Sequence, residues 1–196
     1  MTAHAGPDAA DNGLVLALDA ADINSYPSSG GTTWYDLSGQ GNNGTITNAT
    51  FNSDGYFAFD GNGDYISFAS ASELQFLNRL PYTMEVWMYP TSNPGASTWT
   101  GIFNREDSSV GSRDGYNIYL NGGSGTLYLA TERFTTGTNN AMGKTYNDSD
   151  LLNIWSHIVA TYDGTTLRLY RNGVQLNSIT STGNITNTSK TLEIGR

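Results

Sequence analysis

A chain of 196 residues with 37% hydrophobic and 12% aromatic side chains can build one β-rich core, and its 14% charged content is too low for a disordered polymer. Nine Lys and Arg against 18 Asp and Glu give a net charge of −9, which argues against nucleic-acid binding and against docking on anionic lipid. The lack of Cys excludes disulfides, thiolate metal sites and cysteine nucleophiles, and no stretch approaches the length of a membrane span, so no membrane insertion is expected.

In chain order, residues 1–12 read as a polar amino-terminal arm with no apolar segment of the signal-peptide kind. Residues 13–196 read as one domain. Leu14–Asp19 is the first expected strand, followed by a Gly-rich polar stretch to Gly44 that is broken by Trp34-Tyr35-Asp36-Leu37. Short strands at Tyr56–Phe59 and Tyr65–Phe68 flank the turn Asp60-Gly61-Asn62-Gly63. After a possible helical turn at Ser72–Leu77 comes Tyr82–Tyr89. There Tyr82, Met84, Val86 and Met88 share one face by period 2, while Thr83, Glu85, Trp87 and Tyr89 share a partly open one. Strands follow at Gly101–Arg105, Tyr116–Leu120 and Thr126–Thr131, the last two joined by a Gly-rich hairpin loop. A second helical turn is expected at Ser149–Asn153. Trp155–Ile179 then reads as a three-strand meander with turns at Asp163-Gly164 and Asn172-Gly173, before a last strand at Leu192-Glu193-Ile194. Strand spacing of about 8–12 residues predicts an all-β antiparallel sandwich.

The ordered series is specific. Leu14-Val15-Leu16-Ala17-Leu18-Asp19 precedes Asp36-Leu37-Ser38-Gly39-Gln40-Gly41-Asn42-Asn43-Gly44-Thr45, then Phe59-Asp60-Gly61-Asn62-Gly63-Asp64-Tyr65-Ile66. Tyr82–Pro90, Trp155–Gly164, Arg168-Leu169-Tyr170-Arg171-Asn172-Gly173 and Leu192-Glu193-Ile194-Gly195-Arg196 complete it. Over residues 13–196 this resembles the laminin-G-like branch of the concanavalin A-like lectin/glucanase superfamily, which implies a jelly-roll sandwich. Domains of that kind continue past Ile-Gly-Arg into one more strand beside the first, so the resemblance implies either a fragment that lacks its last strand or an edge covered by another chain or copy. Ala3-His4-Ala5-Gly6-Pro7 running into Asp11–Leu16, and Ser25–Gly30 running into Thr33–Ser38, resemble laminin-G-like proteins of tailed bacteriophages. The absence of Cys agrees with such an origin.

Three chemistries are weighed against plain structural roles. Glucanase relatives carry a Glu-x-Asp-x-x-Glu strand, because hydrolysis needs two carboxyl groups a few Å apart. Here Glu85 stands alone on the corresponding kind of strand, Glu73, Glu106, Glu132 and Glu193 are scattered singly, and His4 and His157 are far apart, so no enzyme is expected. For Ca²⁺, Asp36, Ser38, Asn42 and Asn43 supply oxygens in one loop, and Asp60 and Asp64 in a second turn; the same composition also makes Asx-turns. For glycans, the loop aromatics Trp99, Phe134 and Tyr146 offer ring faces, Asn139 and Asn140 amides, and Arg105 a charged group in a loop running to Asp114. Trp34 and Trp155 are expected in the core. Five N-x-Ser/Thr sequons, among them Asn43, Asn147 and Asn187, read as polar loops.

The resemblance implies a non-enzymatic virion protein, on the capsid or tail surface, that contacts other virion subunits or copies of itself and binds host glycans. The alternative is a carbohydrate-binding domain of a larger bacterial surface or secreted protein, and the third is a glycoside hydrolase.

Overall fold

The computed structural model describes residues 12–27, 29–107, 114–135, 138–186 and 190–196. The expected arm therefore lies outside the described residues but for Asn12. The chain divides into two compact units, Met1–Leu74 and Gln75–Arg196.

The first unit is built from short strands: β1 (Thr33–Trp34), β2 (Gly44–Thr47), β3 (Thr50–Asn52), β4 (Tyr56–Ala58) and β5 (Tyr65–Phe68). β2 pairs antiparallel with β1 and with β5, and β3 with β4. Aromatic rings hold it together. Tyr26 lies 4.8 Å from both Phe51 and Phe57, and Trp34 lies 4.7 Å from Phe57. Such contacts at offset or tilted angles add to the area they bury. The expected strand Leu14–Asp19 is extended but belongs to no ladder. Its backbone is satisfied by a loop instead: Leu37 N–H donates to the Ala17 carbonyl, Ala17 N–H donates to Asp36, and the Asn42 amide donates to the Val15 carbonyl. A 3-10 turn at Ser72–Leu74 occupies the start of the expected helical turn.

The second unit is an antiparallel sandwich. One sheet contains β14 (Glu193–Ile194), β7 (Trp99–Asp107), β8 (Asp114–Gly122), β9 (Thr126–Thr135) and β10 (Thr138–Asn147), in that order. The other is four-stranded, in the order β13 (Val174–Thr180), β12 (Thr166–Arg171), β11 (Ser156–Tyr162) and β6 (Tyr82–Met88). The period-2 reading of β6 and β11 holds: Tyr82, Met84, Ile158, Ala160 and Tyr162 are buried and their neighbours face outward. The β12–β13 turn follows from its residues. Asn172 and Gly173 have φ of 51° and 78°, and two successive positive φ values are what a tight hairpin with the strand's own twist requires.

Between the sheets the core is aliphatic at one end and polar-aromatic at the other. Ile118, Leu120, Leu127 and Leu129 of the first sheet and Ile158, Leu167 and Leu169 of the second are all buried. At the other end the fully buried Arg133 lies 4.2 Å from the Tyr162 ring centroid. Arg133 donates to Ser181 Oγ (3.1 Å), to the Gly183 carbonyl (2.7 Å) and to the Asn78 carbonyl. Carbonyl dipoles and a ring face thus replace the water its charge would otherwise need.

Two sequence expectations are corrected here. The Asn-rich segment 138–147 is a ten-residue strand, pairing residue for residue with β9, although it lacks apolar alternation. β9 runs on to Thr135, so Phe134 belongs to a strand and not to a loop. The second helical turn forms, at Asp148–Leu151.

Candidate functional site

Of the proposed glycan contacts, Trp99 alone combines a ring with a largely open surface, being 52% exposed at the start of β7. Its position is fixed from the preceding segment. The Asn93 amide donates to the Gly123 and Thr126 carbonyls (both 3.0 Å) and to Asp148 (2.8 Å), while its oxygen accepts from Gly95 N–H (2.9 Å). Ser97 N–H and Gly122 N–H then bond across to the Gly122 and Thr98 carbonyls. The chain entering β7 is therefore stapled to the β8–β9 turn.

Register supplies the rest. Trp99 is opposite Asn121, which is opposite Tyr128, which is opposite Thr145, so this row lies on one face of the sheet. Two residues along β8 on that face is Tyr119, buried beneath Trp99 with ring centroids 4.3 Å apart. The Tyr119 hydroxyl donates to Glu132 Oε1 (3.2 Å) and the Asn117 amide donates to Glu132 Oε2 (3.0 Å). The Asn117 oxygen accepts in turn from the Glu132 N–H (3.0 Å). Asn104 is opposite Asn117, and its side-chain oxygen is buried with no hydrogen-bond donor among the described residues. Tyr128 flanks Tyr119 edge-on at 6.3 Å. Burial, and after it the Glu132 carboxylate, push the Tyr128 phenol above its ordinary range, so it remains a protonated donor.

The result is an exposed indole on a buried phenol, which is held by a carboxylate, which is held by an amide. Preorganisation of this kind removes ordering cost from binding. Chemically the open end presents one ring face, with Asn121 and Tyr128 half-buried beside it and Thr145 exposed. The hydrogen-bond partners of Glu132 are the Asn117 amide and the Tyr119 phenol.

The remaining expected contacts lie elsewhere. Arg105 is 1% exposed in β7 and Phe134 is fully buried in β9, so both are core residues. Asn140 is buried, its amide 3.4 Å from the Arg133 carbonyl. Asn139 pairs through its backbone with Phe134, and its side chain lies outside the described residues. Tyr146 neighbours Thr145 and so projects from the opposite face, where Arg171 (4.8 Å) and Lys144 (5.3 Å) lie over its ring. Of the charged loop running to Asp114, residues 108–113 are outside the described residues, as is the sequon at Asn187. Tyr119, Asn117 and Glu132 were missed because 13 to 15 residues separate Asn117 and Tyr119 from Glu132 in sequence; β8–β9 register is what joins them.

The calcium candidates form a hydrogen-bonded staple. Asp36 Oδ1 accepts from Ala17 N–H and Ser38 N–H (both 2.9 Å), and Oδ2 accepts from Ser38 Oγ (2.7 Å) and Asn42 N–H (2.9 Å). Asn43 Oδ1 accepts from Asp36 N–H, and Asn42 donates to Glu73 (3.2 Å). Asp64 accepts from Asp60 N–H and Asp60 from Asn62 N–H, both at 2.7 Å, which closes the second turn on itself. Donors from Ala17, Ser38 and Asn42 thus meet both oxygens of Asp36. Among the described residues no group of three or more His, Cys, Asp or Glu could hold a metal ion.

Two further expectations resolve on the four-stranded sheet. Trp155, expected in the core, is 47% exposed. Glu85 faces outward, with its Oε1 2.9 Å from His157 Nε2, which makes His157 the sheet-surface residue its context suggested.

A family profile described as the concanavalin A-like lectin/glucanases superfamily, Laminin_G_3, matches residues 60–196. No curated protein matches the sequence. Among solved structures, a mutant of HCR/D is similar over 94% of this chain with a TM-score of 0.66 at 14% identity. The receptor binding domain of botulinum neurotoxin mosaic serotype C/D is similar over 82%, with a TM-score of 0.59 at 14% identity. A Bacillus licheniformis β-glucanase aligns over 91% of this chain and 72% of its own, with a TM-score of 0.45 at 15% identity. The chain spans 43% and 39% of the first two chains' length. At these identities the likeness is one of fold.

Proposed function

The chain belongs to the Laminin_G_3 family of the concanavalin A-like lectin/glucanases superfamily, and on that premise we propose that it is a non-catalytic glycan-binding module. The observation that carries this reading is the Trp99 platform. An indole 52% exposed, resting 4.3 Å from a phenol that is itself anchored on Glu132, is a rigid apolar plane with polar neighbours. A sugar ring presents a C–H face to such a plane and its hydroxyls to groups such as Asn121, Tyr128 and Thr145. Glu132 acts as a positioning residue: its two oxygens are engaged with Asn117 and Tyr119.

The carrier is a tailed-bacteriophage particle, where the module sits on the capsid or tail beside other virion subunits or copies of itself and contacts host glycans. The amino-terminal motif order supports this part. A carbohydrate-binding domain within a larger bacterial surface or secreted protein uses the same platform, and the occurrence of the fold within longer chains favours that second reading. Particle proteomics separates the two: the chain copurifies with virions in the first and is absent from them in the second.

The platform is tested by electrophoresis of the full chain in gels containing soluble β-glucan, xylan or mannan. Retention by at least one polysaccharide is expected, Trp99→Ala weakens it about tenfold, and Glu132→Gln, which keeps one acceptor oxygen and leaves the indole in place, changes it less than about threefold. Release of reducing ends by the wild type, abolished in Glu132→Gln, would sink the non-catalytic reading.

A further inference from the structure

The outward face of the four-stranded sheet repeats the construction of the Trp99 platform. Trp87 of β6 is 62% exposed and pairs directly across with His157 of β11. The two rings stack, with centroids 4.9 Å apart and planes 21° from parallel. Glu85 Oε1 lies 2.9 Å from His157 Nε2. Each platform thus has an exposed indole with a planar ring behind it and a glutamate close to that ring. The imidazole covers one side of the Trp87 indole and the other side is open.

The face extends beyond one ring. Tyr89 directly follows β6, two residues past Trp87, and Trp155 directly precedes β11, two residues before His157. They are 41% and 47% exposed, and their rings lie 5.4 Å apart. The row is bordered by Glu85, Val159 and Tyr170, which the register β6–β11–β12 brings side by side. Glu85 is 60% exposed, leaving its second oxygen available as an acceptor, and Thr83 and Thr161 follow on the same face.

We propose that this row, Trp87 and His157 followed by Tyr89 and Trp155, is a second saccharide-binding surface, and that it takes a linear, uncharged glycan. Four features point to that ligand. The aromatic groups form a line. Its first pair lies on the sheet and its second sits at the ends of the same two strands. Its flanks offer a carboxylate, a phenol and two threonine hydroxyls, the acceptors and donors that sugar hydroxyls need. The chain's net charge of −9 and the exposed Glu85 disfavour an acidic polymer. The ligand class rests on the glycan reading of Trp99, but the site is on the other sheet and is tested separately.

The experiment is gel retention of the full chain on soluble β-glucan, xylan and mannan, comparing wild type with Trp87→Ala, Trp99→Ala and the double variant, with sedimentation velocity on each. Both indoles are more than half exposed, so the folded state should survive either change, and thermal melting checks this. The expected result is that each single variant loses about tenfold in affinity and keeps residual retention, the double variant loses all retention, and Trp87→Phe restores most of the loss. If Trp87→Ala binds as the wild type does while Trp99→Ala loses all retention, the second surface is overturned and the first stands. If Trp87→Ala loses all retention and Trp99→Ala none, the second surface stands and the first falls. If Trp87→Ala leaves retention intact but converts a dimer to a monomer, the row is a contact between copies and the proposal is overturned. No retention of the wild type on any polysaccharide overturns both.

Discussion

Asp36 is only partly buried, yet it organises the loop around it through four accepted hydrogen bonds from Ala17, Ser38 and Asn42. Burial alone would raise its carboxyl group, but these bonds outweigh it and hold the group below its ordinary value of 3.8. The unfolded carboxyl titrates near that ordinary value and the folded one lower. Its contribution is therefore complete above about pH 5 and is lost as pH falls through 3.8 and below. Asp36→Ala should cost about 1–3 kcal/mol at neutral pH, since it leaves several donors unmet. Urea denaturation at pH 7 and pH 3 checks this, with the gap between wild type and variant narrowing at the lower pH. The reason lies in the sequence itself: Asp36-Leu37-Ser38 and Asn42-Asn43 were legible as oxygen-rich turn residues. The structure adds where each N–H points.

At the scale of elements, legibility followed the strength of the period-2 pattern. The meander β11–β12–β13 was readable because Ile158, Ala160, Tyr162, Leu167 and Leu169 alternate with polar residues between Asp-Gly and Asn-Gly turns. β10 was not, because Thr-Asn-Asn-Ala-Met-Gly-Lys-Thr-Tyr-Asn has no apolar rhythm; it is a strand because β9 offers a ladder for each of its residues. Leu14–Asp19 had the rhythm and lacks the ladder, so propensity yielded to the partner available. Within β10, Gly143 is set by close approach. A Cβ there would lie 2.7 Å from the Ala130 side chain and nearer still to the Leu129 carbonyl, on the strand it pairs with. Gly143→Ala should lower stability by about 1–3 kcal/mol through forced displacement of β9 against β10. Thermal melting measures it, and an unchanged melting temperature would show that the two strands can separate freely. The candidate site shows the same division. Trp99 was legible as an aromatic candidate, whereas Tyr119, Asn117 and Glu132 became partners only through the register of β8 with β7 and β9.

At the scale of the molecule, both platforms lie in the unit Gln75–Arg196, one on each sheet. A module with two weak surfaces gains retention on a polymer when both engage, because the second contact is intramolecular. The four tryptophans provide internal probes, since Trp87, Trp99 and Trp155 are substantially exposed while Trp34 lies within the ring cluster of the other unit. The most direct test of the Trp99 platform is to follow the four indole N–H resonances by heteronuclear NMR while the retaining polysaccharide is added. The Trp99 resonance should move saturably and the Trp34 resonance should stay in place. Saturable binding that leaves the Trp99 resonance unmoved would contradict the platform.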